Sequence, residues 1–160
     1  METTNTCCFT GHRDLDEKNM LLATCSVITE GEKLYKKGIT NFICGGALGF
    51  DMAAAQGILK LKAEHPDILL TIAQPCIDYN IGWKEKDKQT YAEIFDRSDE
   101  IIIVSPCRYF NGCMQVRDKY LVDNSSYLIA WYDGRNEGGT LYTLNCARKC
   151  GLEVINVWNG

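Results

Sequence analysis

A chain of 160 residues, 46% of them hydrophobic and 24% charged, is long enough to form one globular domain over residues 1–160. No apolar run approaches the roughly 20 residues that span a bilayer, and the polar start at residues 1–5 lacks the basic region of a secretory signal, so we expect a cytoplasmic protein without membrane contact. The net charge of −4 argues against a broad nucleic-acid-binding surface, because neutralising phosphates requires clustered Lys and Arg, although it leaves room for a local cationic pocket.

The nine cysteines do not resemble a disulfide framework. Four fall in apolar strand-like runs or on the apolar stripe of a helix, where reduced thiols behave as small buried hydrophobes: Cys7, Cys8, Cys25 and Cys44. The pairs Cys107 with Cys113 and Cys146 with Cys150 lack C-x-x-C spacing and an accompanying histidine, so no metal site is predicted.

Short apolar runs alternate with helical patterns along the whole chain. Strands are predicted at 6–9, 39–44, 68–73, 100–104, 127–132 and 154–157. The first helix is predicted to begin at an Asp14 cap with Glu17 in the reciprocal position and to end at Gly38. Its apolar side is predicted to carry Leu21, Cys25, Ile28 and Tyr35. Further helices are predicted to end near 64, 97, 122 and 149.

Apolar strands without alternation, separated by helices, are typical of a parallel sheet covered on both faces. We therefore predict an α/β, three-layer Rossmann-like domain with a mostly parallel sheet. Ligands of such sheets bind outside the carboxyl ends of the strands. The loops at 11–13, 45–51, 74–83, 105–112 and 133–140 all follow strands, so we expect them to line one edge.

A glycine-rich turn joins the second strand to the second helix. Gly45, Gly46 and Gly49 would let a phosphate approach the free N–H groups of a helix N-terminus, but they would equally let strand and helix pack closely. Asp51 follows at the helix start, where it either stabilises the helix dipole or contacts a ribose hydroxyl.

The turn after the first strand holds Gly11, His12 and Arg13. The Arg13 guanidinium would suit a phosphate, with a solvated ion pair as the alternative. His12 is expected to order its loop by hydrogen bonding rather than to transfer protons.

A second glycine-rich loop precedes the last helix. Gly138, Gly139 and Thr140 suit another phosphate or a ribose, and Thr140 would also serve as the helix N-cap.

Aromatic side chains follow the third and fourth strands. Tyr79 and Trp83, and less strongly Tyr109, could stack on a base, although Trp83 would equally pack under the next helix. For Arg117 with Asp118 we favour an ion pair on the helix surface over a contact with the site.

Three segments in this order resemble the SLOG superfamily, which contains the DprA/Smf and LOG proteins: residues 10–13, 45–54 and 138–147. The intervening Gln74 and Trp83 segment is most similar to the YpsA-like branch, and the resemblance spans 7–157. It implies a Rossmann-like fold that binds a nucleotide or a nucleotide-derived ligand. We expect Gln74 and Trp83 to add to the binding site.

The chain departs from the LOG pattern at one position. LOG-type enzymes carry P-G-G-x-G-T-x-x-E, whose glutamate is thought to act in cleaving an N-glycosidic bond, and Thr143 stands at that position. A threonine cannot act as a carboxylate. LOG chemistry would need a substitute carboxylate, for which Asp51, Asp123 and Asp133 are candidates.

The leading prediction is a sensor or regulatory module that binds a nucleotide or a nucleotide-derived small molecule. No particular cofactor is assigned, and a nucleotide is the expected ligand. The alternative is an N-glycosidase acting on nucleosides or nucleotides, with Asp51 and Arg13 as candidate catalytic residues. Single-stranded DNA binding, as in DprA-like proteins, is a weaker alternative because the chain is acidic. Association of identical copies would draw on Trp131, Tyr132 and Trp158.

Overall fold

The computed structural model describes residues 5–159, so the polar residues 1–4, part of the stretch weighed as a leader, lie outside it. Strands and helices alternate without exception. They are β1 (Thr6–Gly11), α1 (Glu17–Lys36), β2 (Asn41–Cys44), α2 (Phe50–Glu64), β3 (Leu69–Gln74), α3 (Glu85–Arg97), β4 (Glu100–Ile103), α4 (Cys113–Asp123), β5 (Tyr127–Trp131), α5 (Gly139–Lys149) and β6 (Glu153–Asn156).

Within residues 5–159 the strands form one six-stranded sheet in the order β4-β3-β2-β1-β5-β6. Every neighbouring pair is parallel, which confirms the predicted sheet type. The chain winds outward from β1 to β4 and then crosses back to place β5 on the other side of β1, with Cys7 opposite Tyr127 and Gly11 opposite Trp131. The strand order therefore reverses between β1 and β5.

The side chains of β1 alternate between two cores, as the strand period of two requires. Cys7 and Phe9 point into a cluster shared with α1, α2 and α3, whereas Cys8 points into a second cluster with α4 and α5. Helices thus cover both faces of the sheet. This confirms the three-layer Rossmann-like arrangement and explains why the strands lack polar alternation.

The predicted start of α1 was wrong. The helix begins at Glu17 and its cap is Asp16, which accepts a hydrogen bond from the Asn19 N–H at 2.8 Å. Asp14 instead forms an ion pair with Arg135 at 3.4 Å. Two aspartates two residues apart carry the same capping signal, so the sequence alone did not separate them.

The predicted apolar stripe of α1 was wrong at its first two positions, because Leu21 is 64% exposed and Cys25 is exposed. Ile28 and Tyr35 pack against the core as predicted. The buried face carries small residues instead, among them Gly31, where an added Cβ would lie 3.0 Å from Leu61 of α2. A helix that approaches its neighbour this closely is positioned by small side chains. Leu21 and Cys25 lie outside the buried side, which also includes Val27 and Leu34.

The three strand cysteines, Cys7, Cys8 and Cys44, are buried as predicted. Within residues 5–159 no group of three or more His, Cys, Asp or Glu is placed to hold a metal ion. No helix of that part of the chain is long and apolar enough to cross a membrane.

Trp131 cannot contribute to the predicted interface between identical copies, because it is buried and its ring lies 6.2 Å from that of Phe50.

Candidate functional site

A cavity of about 500 Å³ opens at the carboxyl ends of β1 and β5, where the strand order reverses. This is the position at which doubly wound sheets bind their ligands. Its lining comes from the end of β1, from the loops after β1, β2 and β5, and from the N-terminal halves of α2, α4 and α5: Phe9, Thr10, Gly11, His12, Arg13, Asp14, Ala47, Asp51, Met114, Gln115, Arg117, Asp118, Arg135, Glu137, Gly138, Gly139 and Thr140.

The loop after β1 lies directly over the start of α2. Gly49 has φ +72°, and a Cβ there would stand 2.5 Å from both the His12 carbonyl oxygen and the Arg13 Cα. The Phe50 N–H donates to the His12 carbonyl at 3.0 Å. One of the free N–H groups of this helix N-terminus is therefore already used within the protein, and Gly49 lies behind the loop rather than in the cavity wall.

Side chains hold three successive carbonyl groups of the loop after β2. The Gly45 carbonyl accepts from the Arg117 guanidinium, the Gly46 carbonyl from the Tyr79 hydroxyl at 3.1 Å, and the Ala47 carbonyl from the Tyr91 hydroxyl. Of the residues 45–49, Ala47 lines the cavity. The loop is thus fixed from three sides and presents a small apolar surface to the cavity.

A buried charged cluster forms the floor of the cavity. Arg117 is only 4% exposed, and its Nε donates to Asp118 Oδ1 at 2.8 Å. Asp51 accepts from the Ala47 N–H at 3.2 Å, and burial raises the pKa of its carboxyl to about 6 against the opposing effect of Arg117. The prediction of a surface ion pair at Arg117 was wrong, because this guanidinium points into the protein.

His12 ties the loop after β1 to the loop after β5. Its Nε2 accepts the Asp133 N–H at 3.2 Å and lies 3.0 Å from Asp133 Oδ1. Burial lowers the pKa of the His12 imidazole, so the ring is neutral at pH 7 and acts as an acceptor. Arg135 pairs with the same Asp133 at 2.6 Å and with Asp14, so its charge is compensated.

Arg13 is the cation of the cavity that remains unpaired. It is exposed, and within residues 5–159 its side chain has no hydrogen bond or ion pair. Arg117 and Arg135, the other two arginines of the lining, are both engaged with carboxylates.

The start of α5 faces the cavity with free backbone donors. Its N-cap is Gly138 (φ +106°), without a side-chain capping bond among the described residues, so the prediction of Thr140 as the N-cap was wrong. Thr140 and Thr10 are 6% and 8% exposed, and neither hydroxyl has a hydrogen-bond partner in the described part of the chain. Neither hydroxyl oxygen is among the fully buried atoms that lack a partner, so both are reached from the cavity and can bond to a polar ligand there.

The structure brings most of the predicted site residues together. Those that line the cavity are Gly11, His12, Arg13, Asp51, Gly138, Gly139 and Thr140. Those that lie outside its lining are Gly45, Gly46, Gly49, Gln74 and Trp83. Gln74 donates to the Cys76 carbonyl at 3.1 Å, and Trp83 packs 5.3 Å from both Tyr79 and Tyr91.

Of the three carboxylates considered as substitutes for the LOG glutamate, Asp51 lines the cavity within residues 5–159. Asp123 pairs with Lys119 on the surface, and Asp133 is engaged by Arg135. Thr143 donates to the Gly139 carbonyl at 2.9 Å. Asp118 and Glu137 are further cavity carboxylates that the sequence interpretation did not select.

These features define a doubly wound, Rossmann-like protein with a polar cavity at its topological switch point. The chain belongs to the YspA SLOG family (YpsA), whose model matches residues 9–154. This confirms the family resemblance seen in the glycine-rich segments.

Two relatives illustrate the family. The SPbeta prophage-derived protein YoqJ of Bacillus subtilis (strain 168) is 34% identical over 143 residues, which cover 82% of this chain and 80% of YoqJ. The UPF0398 protein BH1768 of Halalkalibacterium halodurans is 31% identical over 118 residues, which cover 72% of this chain but 62% of that protein.

Two solved structures share the fold. DNA processing protein A (DprA) from Streptococcus pneumoniae matches with a TM-score of 0.69 at 15% identity, over 94% of this chain and 49% of that one. DNA processing protein A from Helicobacter pylori, described with its single-stranded DNA binding mode, matches with a TM-score of 0.65 at 17% identity. The match covers 95% of this chain and 64% of that one. The chain therefore spans about half to two thirds of these proteins.

Proposed function

We propose that the cavity binds a nucleotide or a nucleotide-derived small molecule and that the protein acts as a sensor or regulatory module. The observation that carries the proposal is a set of polar groups in one cavity at the switch point that make no hydrogen bond or ion pair within residues 5–159: the Arg13 guanidinium and the hydroxyls of Thr10 and Thr140. A volume of about 500 Å³ falls within the range of small-molecule sites.

The phosphate of this ligand would lie between Arg13 and the start of α5. The first N–H groups of a helix have no partner inside it, and the helix dipole favours an anion there. Gly138 and Gly139 leave these groups open to the cavity, because neither carries a side chain. The corresponding groups of α2 are partly used by His12, so we place the phosphate at α5.

The ribose would face the acidic side of the cavity. Asp51 and Asp118 present carboxylate oxygens there, and carboxylates accept hydrogen bonds from ribose hydroxyls in related doubly wound folds. The role predicted for Gly45, Gly46 and Gly49 stays a prediction, and the contacts with Arg117 and Tyr79 favour a structural role for the first two.

Isothermal titration calorimetry with AMP, ADP-ribose, NAD, cyclic AMP and adenosine tests the proposal. At least one phosphorylated ligand should bind, and Arg13→Gln should weaken it about 10- to 100-fold, since hydrogen bonds to charged groups contribute roughly 1.5–3 kcal/mol. The matched control is Arg108→Gln, an exposed arginine outside the cavity lining. If no ligand of the panel binds, or if both variants weaken binding equally, the proposal fails.

A second candidate, cleavage of an N-glycosidic bond, is favoured by Asp51. A carboxyl with a pKa of about 6 in a ligand cavity is suited to general acid–base catalysis near neutral pH. Chromatography of nucleoside monophosphates incubated with the protein would detect released base, and Asp51→Asn should abolish that release. Binding without release would instead favour the sensor.

Single-stranded DNA is the third ligand to test, because a fold relative from Helicobacter pylori is described with a DNA binding mode. Phosphate contacts along a strand make affinity fall steeply with salt. Mobility shifts of an oligonucleotide at about 50 and 200 mM salt would test this alternative. A complex that weakens at the higher salt concentration would favour DNA binding, and the absence of a complex would favour a small-molecule ligand.

A further inference from the structure

The strand β4 forms an edge of the sheet that is unusually apolar. Within residues 5–159 it pairs with β3 alone, and its other edge has no neighbouring strand. Ile101 is 44% exposed and Ile103 is 39% exposed. Unpaired edges are sites of strand addition unless charges, proline or a covering element protect them.

Two loops extend this apolar surface. The Ile77 N–H donates to the Cys107 carbonyl at 3.0 Å, and the Tyr109 N–H donates to Asp78 at 2.7 Å, so the loops after β3 and β4 lie side by side. Ile77, Tyr109 and the adjacent Phe110 are all exposed. We call the exposed residues Ile77, Ile101, Ile103, Tyr109 and Phe110 the β4 corner. A concentration of large apolar side chains of this kind marks an interaction site.

The opposite edge of the sheet exposes less apolar side chain. The apolar residues of β6, Val154 and Ile155, are half-buried and pack against the two cores. In β4, Ile101 and Ile103 are exposed. Both strands start with a glutamate, so the difference between the two edges lies in the exposed isoleucines of β4.

The helices leave room beside β4 on both faces. On one face, α3 buries Tyr91 and Ile94 in the core shared with α2, while Ile101 and Ile103 remain exposed. On the other face, a groove of about 360 Å³ lies between Val104 and the α4 residues Val116 and Tyr120. Another sheet can therefore approach the β4 edge.

We propose that a second copy of this chain covers the β4 corner, with the two β4 strands paired antiparallel around a two-fold axis at Ile102. A two-fold contact requires a self-complementary surface, and the run Ile101-Ile102-Ile103 reads the same in both directions. Ile101 then faces Ile103 of the second copy, and Ile102 faces its own equivalent. The two sheets join into one across the axis.

The charges of the strand agree with this arrangement. Glu100 lies opposite Val104 of the second copy, so the two Glu100 side chains are four residues apart along the pair. At about 3.4 Å per residue they are separated by roughly 14 Å, beyond the Debye length of about 8 Å in physiological salt. The cavity lies at β1 and β5, three strands from β4, so it stays open in the dimer.

Light scattering coupled to size-exclusion chromatography tests the proposal. The wild-type chain at about 100 μM should have twice the mass of one chain, and the double variant Ile101→Lys with Ile103→Lys should have the mass of one. The matched control is Leu21→Lys with Leu22→Lys, which places two lysines at exposed leucines of α1 and should stay dimeric. A monomeric wild type, or a dimeric β4 variant, would overturn the proposal.

Hydrogen exchange identifies the surface independently of the variants. The amides of residues 100–104 in the wild type should exchange at least tenfold more slowly at 100 μM than in a dilution where the mass falls to one chain. If their exchange does not change with association, another surface makes the dimer and the proposal is wrong. Because the cavity is remote, AMP titration of the β4 variant reports on ligand binding separately from association.

Discussion

The Arg117 guanidinium on α4 donates a hydrogen bond to the carbonyl oxygen of Gly45, at the end of β2. This contact joins the α4–α5 side of the sheet to the loop that leads into α2. It explains why residue 45 is glycine, since a Cβ there would lie 2.8 Å from both the Arg117 guanidinium and the Asp51 carboxylate. The glycine-rich loop is therefore built around a buried charge.

Removing that charge should destabilise the protein strongly. Arg117→Met leaves Asp118 and Asp51 buried without their cation, and breaking a buried ion pair by removing one partner costs about 3–5 kcal/mol. Urea unfolding would measure the loss. Lys119→Met, which removes an exposed ion pair with Asp123 on the same helix, should leave the free energy of unfolding nearly unchanged. Similar losses in the two variants would refute the structural role of Arg117.

Asp51 should make stability depend on pH. Its pKa in the folded protein is about 6, above the ordinary 3.8, so the folded state binds this proton more tightly than the unfolded state. The stability it contributes is complete below pH 3.8 and is lost as the pH rises through 6. At about 1.4 kcal/mol per pKa unit, the loss is about 3 kcal/mol.

Comparing wild type with Asp51→Asn isolates this contribution from other titrating groups. The free energy of unfolding of the wild type, relative to the variant, should fall between pH 4 and pH 7. Urea titrations at several pH values measure this difference. A difference independent of pH would mean that Asp51 titrates normally.

His12 should titrate below its ordinary pKa of 6.5 because its ring is buried. Asp133 opposes this effect by favouring the imidazolium, so Asp133→Asn should lower the His12 pKa further. Nuclear magnetic resonance of the imidazole protons measures both values. The stability that neutral His12 contributes is complete above pH 6.5 and is lost as the pH falls. A higher His12 pKa in Asp133→Asn would contradict this assignment.

Gly49 should be intolerant of a side chain for two separable reasons. Gly49→Ala adds a Cβ that would lie 2.5 Å from the His12 carbonyl oxygen, and it forces alanine to adopt φ +72°. Gly151→Ala imposes a φ of +77° in open space, where the cost of a positive φ is about 1–2 kcal/mol. Gly49→Ala should cost about 1–3 kcal/mol more, from overpacking and from its ψ of −122°, which lies outside the left-handed helical region. Equal melting temperatures would show that the loop over α2 gives way.

The sequence determines the strands and the cavity edge because both depend on local patterns. Apolar runs without alternation indicate strands buried on both faces, and loops that follow parallel strands must share an edge. In contrast, the order of the strands in the sheet cannot be predicted from local sequence patterns. That β5 lies beside β1, and hence that Arg13 and Gly139 face the same cavity, depends on the packing of the whole sheet.

The buried arginine was missed for a related reason. Within α4, Arg117 stands in the charged run Arg117-Asp118-Lys119, which is typical of a solvated surface. Its burial depends on the Gly45 carbonyl and on Asp51, which lie more than 60 residues away in the sequence. Polar groups that satisfy one another across the fold leave no periodic signal.

The most direct test of the proposed site is an amide nuclear magnetic resonance titration with AMP, with adenosine as the control that lacks a phosphate. If the phosphate lies at the start of α5, the amides of Gly139 and Thr140 should shift with AMP and not with adenosine, and Arg13→Gln should weaken the response. Shifts confined to residues 45–49, or no shift at millimolar AMP, would contradict the proposed site.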